Sequence, residues 1–170
     1  MQINVAQLLK EPVGAERSYK IDELTGNNDD DHVNGEVCLT RTNLGILVTG
    51  EMTADIHGPC SRCLGPARMN VKFSIEDEYY PIIDINSGAH VKVEPDAFTI
   101  DHNHILDLDE AIRQYVIMAT PAKLLCKPDC PGICPVCGHE FAKGDCKHRN
   151  KSYDHRWDKL VEARKKESMI

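Results

Sequence analysis

The chain has 170 residues, of which 41% are hydrophobic and 28% charged, with a formal net charge of -7. That length allows one main domain and a small appendage but not two large domains. The acidic balance excludes a protein that coats nucleic acid with its whole surface, because phosphate affinity comes from clustered Lys and Arg.

Three Phe and one Trp leave the core to aliphatic side chains. The opening run Met1 to Lys10 lacks the basic start, apolar stretch and small-residue cleavage site of a signal peptide. No stretch approaches the roughly 20 apolar residues of a membrane span. These features predict a cytoplasmic protein, in which eight cysteines are metal ligands or redox thiols rather than disulfides.

Residues 1 to 26 are mixed in pattern, and Thr25 to Asp31 read as a polar turn before the first strand. From Val33 the pattern alternates: Val33, Val37 and Leu39 share one face, with Cys38 on the polar one. Ile46, Val48, Met52, Ala54 and Ile56 continue it, and Met69, Val71, Phe73 and Ile75 repeat it after Gly58 to Pro66. A hairpin with a Cys-x-x-Cys pair at its tip follows from that spacing. Residues 84 to 104 show no firm period beyond a short strand near Ala97 to Ile100. Asp107 reads as a helix cap, and Leu108, Ile112, Tyr115, Val116 and Ala119 recur at helical spacing until Pro121. Asp154 to Lys166 suggests a short amphipathic helix.

The chemistry lies in the cysteines. In Cys134-Pro135-Val136-Cys137-Gly138 two sulfurs three residues apart can face one ion while turn amides donate to the thiolates, and Gly138 suits a left-handed closing position. With Cys126, Cys130, Cys146 and His148, six candidate ligands fall within 23 residues. This segment holds too few large apolar residues to fold unaided. Adding Cys60 and Cys63 gives eight ligands, enough for two tetrahedral zinc sites. One assignment places Cys60, Cys63, Cys126 and Cys130 together and Cys134, Cys137, Cys146 and His148 together. A single site of Cys130, Cys134, Cys137 and Cys146 is the alternative, so the expected zinc content is one or two ions. The Cys60/Cys63 pair also reads as a redox pair, with Arg62 lowering a thiol pKa. No His-Glu-x-x-His element is present, which points away from zinc hydrolysis and toward a non-enzymatic protein.

Residues 143 to 166 carry nine Lys and Arg against four acids, a local +5 that leaves -12 on the rest of the chain. Lys147, Arg149, Lys151, Arg156, Arg164, Lys165 and Lys166 are therefore the candidate RNA contacts. No aromatic stacking platform accompanies them.

The ordered set of alternating strands leading into Cys60-Ser61-Arg62-Cys63-Leu64, Asp107-Leu108-Asp109-Glu110-Ala111-Ile112, Cys126, Cys130-Pro131-Gly132-Ile133-Cys134-Pro135-Val136-Cys137-Gly138, Cys146, and Asp154 and Arg156 before Leu160 resembles the bacterial large ribosomal RNA subunit accumulation protein family, also called YceD. The resemblance implies a cytoplasmic metal-binding accessory factor for the synthesis, processing or stability of large-subunit ribosomal RNA, without enzymatic activity. Its partners would be ribosomal RNA, a ribosomal protein or an RNA-maturation factor, with no membrane and no small-molecule substrate. Relatives with Cys-x-Cys where this chain has Cys146-Lys147-His148 are expected, and His148 can still ligate zinc. The expected fold is α+β: an antiparallel sheet over about residues 33 to 80, a covering helix near 107 to 119 and a C-terminal zinc-knuckle module. The expected division is 1–122 for sheet and helix and 123–170 for the module. Rival readings are a thiol/zinc redox sensor and a zinc-stabilised protein-binding adaptor in transcription or translation.

Overall fold

Alternating apolar side chains from Val33 onward build a mixed sheet rather than a purely antiparallel one. In the computed structural model, which describes residues 1–24, 32–148, 155–160 and 164, the strands are β1 (Gln2–Asn4), β2 (Glu16–Leu24), β3 (His32–Arg41), β4 (Ile46–Pro59), β5 (Pro66–Pro81), β6 (Thr99–Ile100) and β7 (Ile105–Asp107). They lie in the order β1-β7-β6-β5-β4-β3-β2. All neighbours are antiparallel except β5 and β6, which pair in parallel through Tyr80 with Thr99 and Pro81 with Ile100. The connection over residues 82–98 carries the chain back to start β6 in the same direction as β5.

The expected start of the sheet at 33 also needs correcting. Strand β2 extends it, with Leu24 opposite His32 and Glu16 opposite Thr40. Its inward positions include Arg17 and Tyr19 beside Ile21, so the apolar alternation is diluted. The polar turn expected at 25–31 lies outside the described residues.

The core is the common inner face of these strands. Val37 and Leu39 of β3, Ile46, Val48 and Met52 of β4, and Ile75 and Tyr79 of β5 are buried together with Leu8 and Leu9 of helix α1 (Ala6–Lys10). Helix α2 (Asp109–Ala119) closes the other side through Ala111 and Ile112. Tyr115 stacks on Phe73 with ring centroids 6.5 Å apart and donates its hydroxyl to the Glu76 carbonyl at 3.3 Å. Asp107 does not occupy the helix cap itself, which falls at Leu108. Its carboxylate nevertheless accepts the Asp109 backbone N–H at 3.0 Å, so the side chain serves the first turn from the end of β7. At Gly45, between β3 and β4, a Cβ would sit 2.0 Å from the Tyr79 carbonyl oxygen, so the close approach of this turn to the β5 backbone admits only hydrogen there.

Strands β4 and β5 form one long hairpin whose last pair is Pro59 with Pro66. A second, smaller buried cluster sits at its tip: Cys60, Ala67, Leu124 and Cys130, flanked by Cys63, Met69 and Leu125. Of the helix expected over Asp154 to Lys166, residues 155–160 and 164 are described, and 154, 161–163, 165 and 166 lie outside the described residues. Within the described part, His155–Trp157 form a 3-10 turn, residues 158–160 and 164 are α-helical as expected, and Trp157 and Leu160 are exposed. Among the described residues no helix is long and apolar enough to cross a membrane.

Candidate metal centres

Cys60 to Gly65 turn the β4–β5 hairpin. The Cys60 N–H donates to the Gly65 carbonyl at 2.8 Å and the Leu64 N–H to the Cys60 carbonyl at 2.9 Å, while Leu64 takes φ 61°, a left-handed value that usually calls for glycine. This tight turn brings the Cys60 and Cys63 side chains to one side and leaves backbone N–H groups facing sulfur, among them that of Arg62, which donates to Cys60 Sγ at 3.5 Å.

The same turn is built a second time. Ile133 and Glu140 pair as an antiparallel bridge, the Cys134 N–H donates to the His139 carbonyl at 2.8 Å, the Gly138 N–H donates to the Cys134 carbonyl at 2.9 Å, and Gly138 has φ 71°. Each of these contacts reproduces one in the first turn, shifted along the chain by the same interval that separates Cys60 from Cys134. Two knuckles of one design therefore stand at two hairpin tips, one closed by Leu64 and the other by Gly138.

The remaining candidate ligands meet these knuckles. Ligand atoms of Cys60, Cys63, Cys126 and Cys130 all lie within 4.8 Å of one another, and so do those of Cys134, Cys137, Cys146 and His148. In the first group Cys60 Sγ is 3.8 Å from Cys130 Sγ, and Cys63 Sγ is 3.7 Å from Cys126 Sγ. Segment 124–130 is docked by the Ser61 N–H donating to the Leu124 carbonyl at 2.8 Å. The Arg62 guanidinium adds donations to the carbonyls of Pro128 at 3.3 Å and Cys130 at 2.9 Å. Sequence reasoning gave Arg62 a role on thiol acidity. The structure instead turns its side chain to the carbonyls of the facing turn at Pro128 and Cys130, and it is the Arg62 backbone that faces sulfur. The second group is held within one short stretch, where the Phe141 N–H donates to the Gly132 carbonyl and His139 Nε2 lies 3.1 Å from the Gly144 carbonyl oxygen.

The electrostatics of each group follow from this packing. Backbone N–H groups of Cys126, Arg62 and Cys63 pull the Cys60 thiol down to about 6, and those of Cys137 and Val136 do the same for Cys134. Cys126 is pushed up to about 12, chiefly by the neighbouring Cys130 sulfur and then by burial. At Cys63 the Gly65 amide pulls down but is outweighed by Cys60, burial and Cys130. At Cys146 the His148 amide is outweighed by burial and by Cys134 and Cys137. Each knuckle thus lowers one thiol, Cys60 or Cys134, while Cys63, Cys126 and Cys146 are pushed up, a direction that a cation among the sulfurs would reverse. Both clusters could hold a metal ion.

Cys38 stands apart, half-buried on β3 with its sulfur 4.0 Å from Thr40 Oγ1. Of the basic residues singled out in the sequence, Lys147, Arg156 and Arg164 are exposed, and Arg149, Lys151, Lys165 and Lys166 lie outside the described residues. The contributions of Leu124 and of the Arg62 side chain were not legible beforehand, since both depend on which segment the hairpin tip meets.

A mixed sheet carrying two cysteine-rich clusters, one at a hairpin tip and one in the segment beyond it, defines a class of proteins with candidate metal centres at one end. The chain belongs to the family described as large ribosomal RNA subunit accumulation protein YceD, whose model matches residues 48–162, a range that contains all eight candidate ligands. It is also similar to an uncharacterized protein of Mycobacterium tuberculosis, 37% identical over 119 residues, covering 69% of this chain and 55% of that protein. A protein of Mycobacterium bovis matches to the same extent, and one of Mycobacterium leprae is 28% identical over 131 residues, covering 76% of this chain and 58% of the relative. The chain thus spans little more than half the length of these relatives. No solved structure matches it significantly.

Proposed function

We propose that the protein is a zinc-dependent, non-enzymatic accessory factor for the synthesis, processing or stability of large-subunit ribosomal RNA, acting in the cytoplasm. One observation carries the metal part of this reading. A zinc tetrahedron with bonds of roughly 2.3 Å to sulfur has sulfur–sulfur edges of about 3.8 Å. The Cys60–Cys130 and Cys63–Cys126 separations of 3.8 and 3.7 Å fit that edge. They are too long for disulfides, whose sulfurs lie about 2.05 Å apart. Zinc is favoured over harder cations because seven of the eight ligand atoms are sulfur and the eighth is an imidazole nitrogen. Both ligand sets are complete without a water, which suits structural rather than catalytic zinc.

In this reading residues 1–122 form a sheet-and-helix body and residues 123–170 a zinc-knuckle module docked on it. The ribosomal part rests on the family. The partner is ribosomal RNA, a ribosomal protein or a maturation factor, and the exposed Lys147, Arg156 and Arg164, together with Arg149, Lys151, Lys165 and Lys166, are the first residues to test for RNA. The experiment is a chromosomal deletion complemented by the wild-type chain or by Cys63→Ser plus Cys137→Ser, reading the ratio of large- to small-subunit ribosomal RNA. The deletion is expected to depress the ratio, the wild type to restore it and the double variant to fail. An unchanged ratio in the deletion strain would overturn the ribosomal reading, and full rescue by the double variant would overturn its dependence on zinc.

A further inference from the structure

The two clusters share one knuckle design but differ in everything around it. In the first, Cys60 is fully buried and Cys130 is 4% exposed. Its ligands come from two segments about sixty residues apart, and Ala67, Leu124, Met69 and Leu125 pack over the sulfurs. To open it, the chain must part the Ser61–Leu124 backbone bond and both Arg62 donations and expose that apolar cluster. In the second, only Cys134 is buried. Cys137 and His148 are exposed and Cys146 is half-exposed. All four ligands belong to residues 134–148, and no apolar cluster among the described residues encloses them.

We propose that the second centre is an exchangeable zinc site and the first a fixed one, so that the ion at Cys134, Cys137, Cys146 and His148 can be lost and regained while the hairpin tip stays clamped. This inference rests on the zinc reading above. Metal leaves a protein site by stepwise replacement of ligands, and an incoming chelator needs access to the ion or a ligand that swings away. Exposed Cys137 and His148 supply both, because either can detach without moving the sheet. At the first centre the exposed Cys126 can swing, but its neighbours Cys60 and Cys130 are held under packed side chains. Loss of the second ion would release residues 131–148 as a segment without a core of its own, while 1–130 keep their fold.

The test is zinc release from the full chain to a chromogenic chelator in excess, at neutral pH under reducing conditions, for the wild type, Cys137→Ser, His148→Ala and Cys63→Ser. Hydrogen exchange on peptides from 120–130 and 131–148 is followed in parallel. The expected wild-type result is two phases of one equivalent each, with rates separated by about tenfold or more, equivalent to about 1.4 kcal/mol in barrier. Cys137→Ser and His148→Ala should lose or accelerate the fast phase alone. Cys63→Ser should remove the slow phase, and exchange should rise first in 131–148. A chain purified with one equivalent, kept by Cys137→Ser and lost by Cys63→Ser, is the limiting form of the same asymmetry. Release of two equivalents in one phase, loss of the slow phase in Cys137→Ser, or early exposure of 120–130 would overturn the proposal while leaving two zinc sites intact. A chain that binds no zinc overturns the zinc reading itself.

Discussion

Leu64 and Gly138 do the same work with different side chains. A non-glycine residue in the left-handed region costs roughly 1–2 kcal/mol, and Leu64 is 68% exposed, so its side chain recovers little through packing. Leu64→Gly should therefore be neutral or raise the stability of the metal-loaded protein by up to about 1 kcal/mol, whereas Gly138→Ala should lower it by a similar amount. Thermal melts of the two variants check this, and a clear loss in Leu64→Gly would show that Leu64 is held by contacts other than the turn. Asp77 supplies a pH test. Burial raises its pKa, and its Oδ2 is buried without a hydrogen-bond partner. A folded pKa above the unfolded value means the neutral acid is the form the fold favours. Its contribution is fully present below the ordinary aspartate range and is lost as pH rises through the shifted value. Asp77→Asn should thus stabilise at neutral pH and change little near pH 3. Denaturant midpoints at the two pH values measure it, and a variant equally destabilised at both would contradict the assignment.

At the scale of elements, the long hairpin is the part most legible in the sequence, because β4 and β5 are half-buried over their whole length and so alternate in the open. Strand β2 was hidden for the opposite reason, its inward positions being partly polar. Strands β1 and β7 are three residues long, too short for any period to register, whereas β6 falls within the short strand expected near Ala97 to Ile100. Gly45 shows how backbone proximity escapes a sequence reading: nothing local marks it, yet a methyl group there would collide with the Tyr79 carbonyl oxygen. Gly45→Ala should cost more than about 3 kcal/mol, in the range of severe core or backbone lesions. A denaturant titration showing less than about 1 kcal/mol would mean the turn between β3 and β4 relaxes freely. In the candidate site, ligand types and the two Cys-x-x-Cys spacings were readable at once. Which four side chains share a centre depended on the hairpin tip reaching residues 124–130, a tertiary fact.

Across the whole molecule the charge is divided. Residues 57–72 contain Arg62, Arg68 and Lys72 and no acid, whereas residues 1–56 carry ten acids against four bases. Four thiolates around a dication leave a net -2, and three with a histidine leave -1. Arg62, Lys123 and Lys127, close in sequence to ligands of the first group, would offset the charge that bound metal would leave there. A knuckle's apparent zinc affinity, about 10–16 kcal/mol, rivals the net stability of a whole domain. Exhaustive chelation should accordingly unfold residues 120–148 and leave the sheet standing, visible as hydrogen exchange that rises in those residues and stays slow in β3, β4 and β5. Loss of protection throughout the sheet would show that the core depends on the metal as well.

The most direct test of the two-centre account is zinc stoichiometry combined with X-ray absorption at the zinc edge, on protein purified under reducing conditions. Two centres built from seven cysteines and His148 predict two ions per chain, with an averaged first shell dominated by sulfur and a minor nitrogen component that disappears in His148→Ala. One ion per chain with an all-sulfur shell, kept in Cys63→Ser and lost in Cys137→Ser, would contradict it and return the site to the single cluster of Cys130, Cys134, Cys137 and Cys146.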